Sequence, residues 1–263
     1  MTMRAVLLSS CLLAAPAATL AQDMVDLEVL PGWREANGTH MAALRVTLDP
    51  GWKTYWRAPG DAGIPPQFDW RGADNMRSVA FHWPVPDVYI TNGMRTIGYE
   101  NQVVIPMRVT PHASGEIRMR GSVQIGVCEE ICVPVTLNFD EALPTSGAPD
   151  RAISAALSDR PHNETEASVA SVTCAVDPIA DGLRVTASIA MPPLGRGEVA
   201  VFETADPTVW ISEAATERNG KMLTASAEMV SPSGQPFALN RSDIRITVLS
   251  AGQAVDIRGC DAG

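Results

Sequence analysis

The residues best equipped for chemistry lie in one short run, Gly126-Val127-Cys128-Glu129-Glu130-Ile131-Cys132-Val133-Pro134. It follows an alternating segment, Glu116 to Val127, with Ile117, Met119, Gly121, Val123, Ile125 and Val127 on one face, and precedes a second apolar run, Val133 to Phe139. A period of two is that of a half-buried antiparallel strand. If the two runs form a hairpin, Cys128 and Cys132 flank a three-residue tip and oppose each other across the ladder. Opposed Cα atoms lie ~4.5–5.5 Å apart, within reach of a disulfide. A bridge over so few residues removes little chain entropy, so stability is a weak reason for having it. At a hairpin tip another protein could reach it, and exposed disulfides are the ones that exchange. Two readings stay open at this point, a redox-active pair and an inert staple.

Glu129 and Glu130 sharpen the first reading. Two carboxylates beside the sulfurs disfavour thiolate. A dithiol whose thiolates are stabilised is a poor reductant, so this arrangement should favour giving electrons away. The same thiols suit Cu(I), with Met94 or Met119 as a possible thioether ligand, which makes copper binding or copper tolerance the rival function. No Met-x-x-Met or Met-x-Met cluster beyond the leader gives that rival direction. The expectation is no cofactor, with Cu(I) reserved for the rival. His40, His82, His112 and His162 have no partner at zinc-ligand spacing and read as surface or turn residues, so no metal site is assigned. A Gly-x-Ser-x-Gly elbow is absent. Trp52, Trp56, Trp70 and Trp83 fall beside strand ends, which favours core and hairpin packing over a sugar-stacking platform.

The elements that must position these residues are strands. The chain has 263 residues, 46% hydrophobic and 5% aromatic, with a net charge of −10. Such acidity excludes phosphate-backbone binding as a main role, so nucleic acid is not an expected partner. The length suits one large domain or two of ~120 residues. Residues 1–21 read as a secretory signal peptide, with Arg4 before the apolar run Ala5 to Ala18 and Thr19-Leu20-Ala21 at the cleavage site. A lipoprotein box at Leu8-Ser9-Ser10-Cys11 would leave only Ala5-Val6-Leu7 after Arg4, too little apolar run. The expected location is the periplasm, as a soluble protein. Four cysteines then remain, in a compartment that permits disulfides.

Composition shifts near residue 141. Eleven of the fourteen aromatic residues lie between Trp33 and Phe139, whereas Glu141 to Ser168 has none and reads as a linker. Within it, Asp150 could cap a short helix over Arg151 to Leu157. The expected division is residues 22–140, a linker at 141–168, and residues 169–263. Pro106 within Val103 to Val109 suggests an edge strand or a bulge. Beyond the linker, seven strands are expected, at Ser171 to Val176, Leu183 to Ala190, Glu198 to Thr204, Thr208 to Ser212, Leu223 to Met229, Ile244 to Leu249 and Ala254 to Arg258. Seven short strands with turn signals suggest an immunoglobulin-like sandwich. Its first and last strands can lie side by side, so Cys174 and Cys260 read as a structural disulfide. The fold class expected is all-β, with two immunoglobulin-like β-sandwich domains joined by a short, partly helical linker.

The run Gly51-Trp52-Lys53-Thr54-Tyr55-Trp56-Arg57-Ala58-Pro59-Gly60-Asp61-Ala62-Gly63-Ile64-Pro65-Pro66, the segment Phe68-Asp69-Trp70, the turn Trp83-Pro84-Val85-Pro86 and the Val127 to Pro134 element together resemble the N-terminal periplasmic domain of the thiol:disulfide interchange protein DsbD. The likeness leans to the branch of the suppressor of copper sensitivity protein ScsB and covers about residues 25–140. It implies a domain that takes electrons from a membrane-embedded carrier and passes them to oxidised periplasmic proteins, thioredoxin-like ones among them, as a protein-disulfide reductase module without a small-molecule substrate. It further implies that Cys132 attacks the target disulfide while Cys128 resolves the intermediate, and that Tyr89, in the segment Asp87 to Met94, shields the pair as a cap. Only three residues separate the cysteines, fewer than in the best-known members. The 263 residues carry neither the membrane carrier nor the thioredoxin-like domain of the full-length family, so both would come from separate proteins.

Overall fold

The computed structural model describes residues 24–91 and 93–263. The leader read at residues 1–21, with Cys11, lies outside the described residues. Ten strands build the first domain: β1 (Val25–Arg34), β2 (His40–Leu48), β3 (Lys53–Tyr55), β4 (Gln67–Asp69), β5 (Met76–Phe81), β6 (Asp87–Thr91), β7 (Met94–Glu100), β8 (Gln102–Pro111), β9 (Ile117–Cys128) and β10 (Cys132–Leu143). One sheet has the order β1-β2-β8-β5, the other β10-β9-β3-β7-β6, with β4 also on β9. Alternating apolar residues of both sheets, such as Leu44, Val46, Met107, Ile117, Met119, Val123 and Val127, fill the space between them, and Trp56 and Trp83 are buried in the same core. That alternation is what makes an antiparallel sandwich out of period-two sequence.

Two local expectations fail here. Pro106 is neither at an edge nor in a bulge, since β8 lies between β2 and β5 and Pro106 faces Ala43 in regular register. Its carbonyl accepts from His82 N–H just past the end of β5, so its missing N–H falls on the side where that neighbour has run out. His40 is fully buried on β2 rather than at the surface or in a turn. Its Nε2 donates to the Pro31 carbonyl at 2.5 Å, and burial holds its pKa below the ordinary imidazole value.

The connection between domains is packed. Asp150 accepts hydrogen bonds from Ala152 and Ile153 N–H and starts helix α1 (Arg151–Ser158). Ile153 is fully buried against Leu30, Met41 and Ala43, on the outer face of the β1-β2-β8-β5 sheet. The linker is shorter than residues 141–168. β10 continues to Leu143, which is fully buried and opposes Ile117, and His162–Asn163 already pair with the second domain.

That domain contains β11 (His162–Asn163), β12 (Ser171–Ile179), β13 (Gly182–Ala190), β14 (Val199–Glu203), β15 (Trp210–Ile211), β16 (Ala215–Asn219), β17 (Met222–Val230), β18 (Arg245–Ser250), β19 (Gln253–Arg258) and β20 (Asp261–Ala262). Its sheets run β11-β19-β18-β14 and β15-β17-β13-β12-β20, with β16 on β17. The strand expected at Thr208 to Ser212 shrinks to two residues, and β16 takes its place as the hairpin partner of β17 through Gly220. Its Ala-Thr-Glu-Arg-Asn sequence has no apolar alternation to reveal it. Cys174 on β12 is bridged to Cys260, with Cα atoms 5.7 Å apart. The chain is thus all-β, two immunoglobulin-like sandwiches in series.

The two domains share a buried face. On β18, Ile246 and Val248 point into the second core while Thr247 and Leu249 are buried on the other side. Leu249, Ala254, Val199 and Val201 join the first domain's core. A strand covered on both faces loses its polar alternation, which is why Ile246 to Leu249 reads as a nearly unbroken apolar run. Among the described residues no helix is long and apolar enough to cross a membrane.

Candidate functional site

The β9–β10 hairpin sets Cys128 opposite Cys132, followed by Val127 opposite Val133 and Gly126 opposite Pro134. The two cysteines are joined, with Cα atoms 4.1 Å apart. Their surroundings differ. Cys128 is 6% exposed, whereas Cys132 is exposed together with Glu129, Glu130 and Ile131. The alternation of β9 stops at its end, where Ile125, Gly126, Val127 and Cys128 are all buried, because the Tyr55 side chain and Ile64 of the loop after β3 cover the second face at Gly126.

That cover brings a residue to the sulfurs that sequence reasoning did not single out. The Tyr55 hydroxyl lies 3.0 Å from Cys132 Sγ. A disulfide sulfur carries no hydrogen, so the hydroxyl donates. Tyr55 is 3% exposed, and burial raises its pKa, which keeps the hydroxyl protonated and available as a donor. The ring packs against Gly126, where a Cβ would meet Tyr55 Cδ2 at 2.7 Å and Ile64 Cβ at 2.6 Å. Only glycine leaves room for it. Thr54 Oγ1 ties the same strand to the Gly126 carbonyl at 2.9 Å.

Charge at the site is mixed. Lys53 pairs with Cys128 across the β3–β9 ladder, and its ammonium sits 5.0 Å over the Tyr89 ring. Glu129 leans over Gly51, where a Cβ would lie 3.1 Å from its Oε1, and Glu130 faces solvent. Tyr89 itself lies on β6, opposite Thr96 of β7, with β7 and β3 between its strand and β9. Burial first, then Asp87 and Glu100, raise its pKa. Its described link to the pair runs through Lys53, and the aromatic residue in contact with sulfur is Tyr55. Neither methionine considered for copper reaches the thiols. Met119 is buried nine positions down β9 from Cys128, about 30 Å. Met94 is six positions down β7 from Glu100, which shares the row of Lys53 and Cys128, about 20 Å. The structure therefore gathers Cys128, Cys132, Glu129, Glu130, Lys53 and Tyr55, and places Cys174–Cys260 in the other domain.

Residues 26–144 match the family model described as thiol:disulfide interchange protein DsbD, N-terminal. The first domain is a DsbD N-terminal domain. It is a thiol–disulfide interchange module, and its cysteine pair sits on the hairpin just described. The chain is also similar to the N-terminal periplasmic domain of ScsB from Proteus mirabilis, seen in a crystal structure, with a TM-score of 0.67 and 19% identity over 94% of this chain and 97% of that one. That likeness extends beyond the DsbD N-terminal domain, so the fold of two sandwiches in series is common to both. No curated protein sequence matches the chain.

Tyr55 and Arg57 both lie inside the Gly51 to Pro66 run that carried the resemblance, yet spacing alone did not mark them. Their significance comes from contacts with distant segments, Tyr55 with Cys132 and Arg57 with Glu203, 77 and 146 positions away.

Proposed function

We propose that the chain is a periplasmic protein-disulfide reductase module, passing electrons from a membrane-embedded carrier to oxidised thioredoxin-like proteins through Cys128 and Cys132. The observation that supports it most is the asymmetry of the pair: an exposed Cys132 whose sulfur accepts a hydrogen bond, joined to a buried Cys128. In the reduced protein the Cys132 thiolate attacks the nearer sulfur of the target disulfide. That bond breaks, its far sulfur leaves as a thiolate and takes a proton from water, and a Cys132–target disulfide forms. The Cys128 thiolate then attacks Cys132 Sγ, re-forming the intramolecular bond and releasing the target's second thiol. Two electrons have moved to the target, and a dithiol of the carrier restores the pair by the reverse sequence at the same exposed sulfur. Tyr55 assists in both directions, since Cys132 sulfur carries negative charge as nucleophile and as leaving group, and a fixed donor stabilises that charge.

Trapping tests this. Reduced Cys128→Ala protein mixed with an oxidised thioredoxin-like protein should accumulate a mixed disulfide that cannot resolve, while Cys132→Ala should form none. Mixed disulfide with Cys132→Ala and not with Cys128→Ala would reverse the roles. No adduct with either, together with stoichiometric Cu(I) uptake that blocks thiol labelling, would replace exchange by metal binding.

A further inference from the structure

Two residues past the tyrosine that touches Cys132, the chain enters the second domain's surface. Trp56 N–H donates to the Ile97 carbonyl, and Ile97 N–H donates to the Pro59 carbonyl, both at 2.9 Å. Residues 56–59 thereby wrap around one residue of β7. Trp56 is fully buried, and the Arg57 guanidinium lies 3.8 Å over its ring. Arg57 reaches both carboxylate oxygens of Glu203, Nε to Oε1 at 2.9 Å and Nη2 to Oε2 at 3.0 Å, and Nη2 also donates to Thr247 Oγ1 at 3.2 Å. Glu203 lies on β14 and Thr247 on β18 of the second domain. The pair is largely buried, with side-chain exposures of 13% and 20%. On its other side Glu203 faces Arg245 at 4.0 Å, which is itself held by Asp256.

The donor to Cys132 is weakly fixed by its own strand. Lys53 and Thr54 pair with β9, but Tyr55 lies beyond that ladder and, among the described residues, pairs with Gly98 of β7. Where its hydroxyl falls relative to Cys132 therefore depends on the packing of its ring against Gly126 and on how the next two residues are anchored. A buried guanidinium cannot leave its carboxylate without a large desolvation cost, so the position of Glu203, together with the backbone bonds to Ile97, sets the path of the turn.

We infer that Glu203 is a positioning residue for the redox pair: through Arg57 it holds the Tyr55-Trp56-Arg57 turn so that the Tyr55 hydroxyl stays on Cys132 Sγ. This rests on the exchange reading and deepens it, because it gives the second domain a part in the chemistry of the first. The test uses the full chain in a Cys128→Ala background, so that Cys132 is the thiol alkylated, and follows iodoacetamide alkylation against pH. The variants are Glu203→Gln, Glu203→Ala, Tyr55→Phe and Glu203→Ala with Tyr55→Phe. Loosening a hydrogen bond to the thiolate should slow alkylation at pH 7 by roughly threefold or more in Glu203→Ala. Glu203→Gln, which keeps an acceptor, should fall between it and wild type. In the Tyr55→Phe background Glu203→Ala should add nothing, the mark of two residues acting through one contact. A Glu203→Ala protein that melts earlier yet keeps the unmodified pH profile, or losses that add, would overturn the inference. Should Glu203→Ala fail to fold, Thr247→Val removes a single acceptor of Arg57 and is judged by the same criteria. Failure of the exchange reading is read separately, as absence of mixed disulfide with an oxidised thioredoxin-like protein while the Glu203–Tyr55 coupling persists.

Discussion

Replacing Tyr55 by Phe removes one oxygen from the site and leaves the ring over Gly126, so it isolates the 3.0 Å contact to Cys132 Sγ. A hydrogen bond to a charged partner contributes about 1.5–3 kcal/mol net, which is roughly a 10- to 150-fold change in the thiolate fraction when the donor is lost. The less stabilised thiolate is also the better nucleophile. With a Brønsted slope near 0.4–0.5, about half of the loss on a logarithmic scale is returned, leaving alkylation roughly 3- to 10-fold slower at neutral pH. At high pH, where Cys132 is fully ionised in both proteins, the same slope makes the variant faster. The signature is two pH–rate curves that cross, measured by mass-resolved iodoacetamide labelling of Cys132 in the reduced protein. Thermal stability should hardly move, because the ring packing is kept and a sulfur is a weak acceptor. Superimposable curves from a folded Tyr55→Phe protein would refute the role given to the hydroxyl, and with it the coupling to Glu203.

Neutralising the tip with Glu129→Gln and Glu130→Gln should speed Cys132 alkylation at neutral pH severalfold, and 1 M salt should erase most of the difference, since exposed charges are screened over a few ångströms. A gain that survives high salt would point to reshaping of the hairpin instead. Removing the second bridge by Cys174→Ser with Cys260→Ser opens a loop spanning 86 residues. The expected loss is about 2–5 kcal/mol, or roughly 5–20 °C in Tm by calorimetry. Mixed-disulfide formation at Cys132 should persist in that variant, and its loss would contradict a purely structural role for the bridge. Burial, the largest influence, lowers the pKa of His40 and of His82. Above the unfolded value of about 6.5 both states hold neutral imidazoles, and as pH falls below it the unfolded chain takes up protons that the folded one refuses. Stability should therefore decline on acidification until the lowered folded pKa is passed, by up to about 1.4 kcal/mol per pH unit for each histidine. Urea midpoints between pH 7.5 and 5 measure this, and a His40→Gln protein with an undiminished slope would clear His40 of any part in it.

Local pattern made much of the molecule legible. Apolar runs ended by turn residues located β2, β8, β13, β17 and β19 to within a few residues, and period-two alternation located β9, because a half-buried strand writes its two faces into adjacent positions. The Asp150 cap and the position of α1 were readable from one acceptor and an i, i+4 apolar pair. The hairpin that opposes Cys128 and Cys132 followed from two strands separated by three residues. What stayed hidden depends on pairing between distant segments. β16 carries no apolar stripe, Pro106 is tolerated centrally because β5 ends one residue short of it, and His40 is buried because its ring finds the Pro31 carbonyl.

An all-β chain and a two-cysteine tip with two acids between the thiols are encoded by neighbours along the chain and can be read from them. The difference in exposure between the two sulfurs, the Tyr55 donor at Cys132 and the reach of Arg57 to Glu203, 146 positions away, arise from tertiary packing. Those relations are set by which strands lie side by side and which faces are buried, and no spacing within a segment records them.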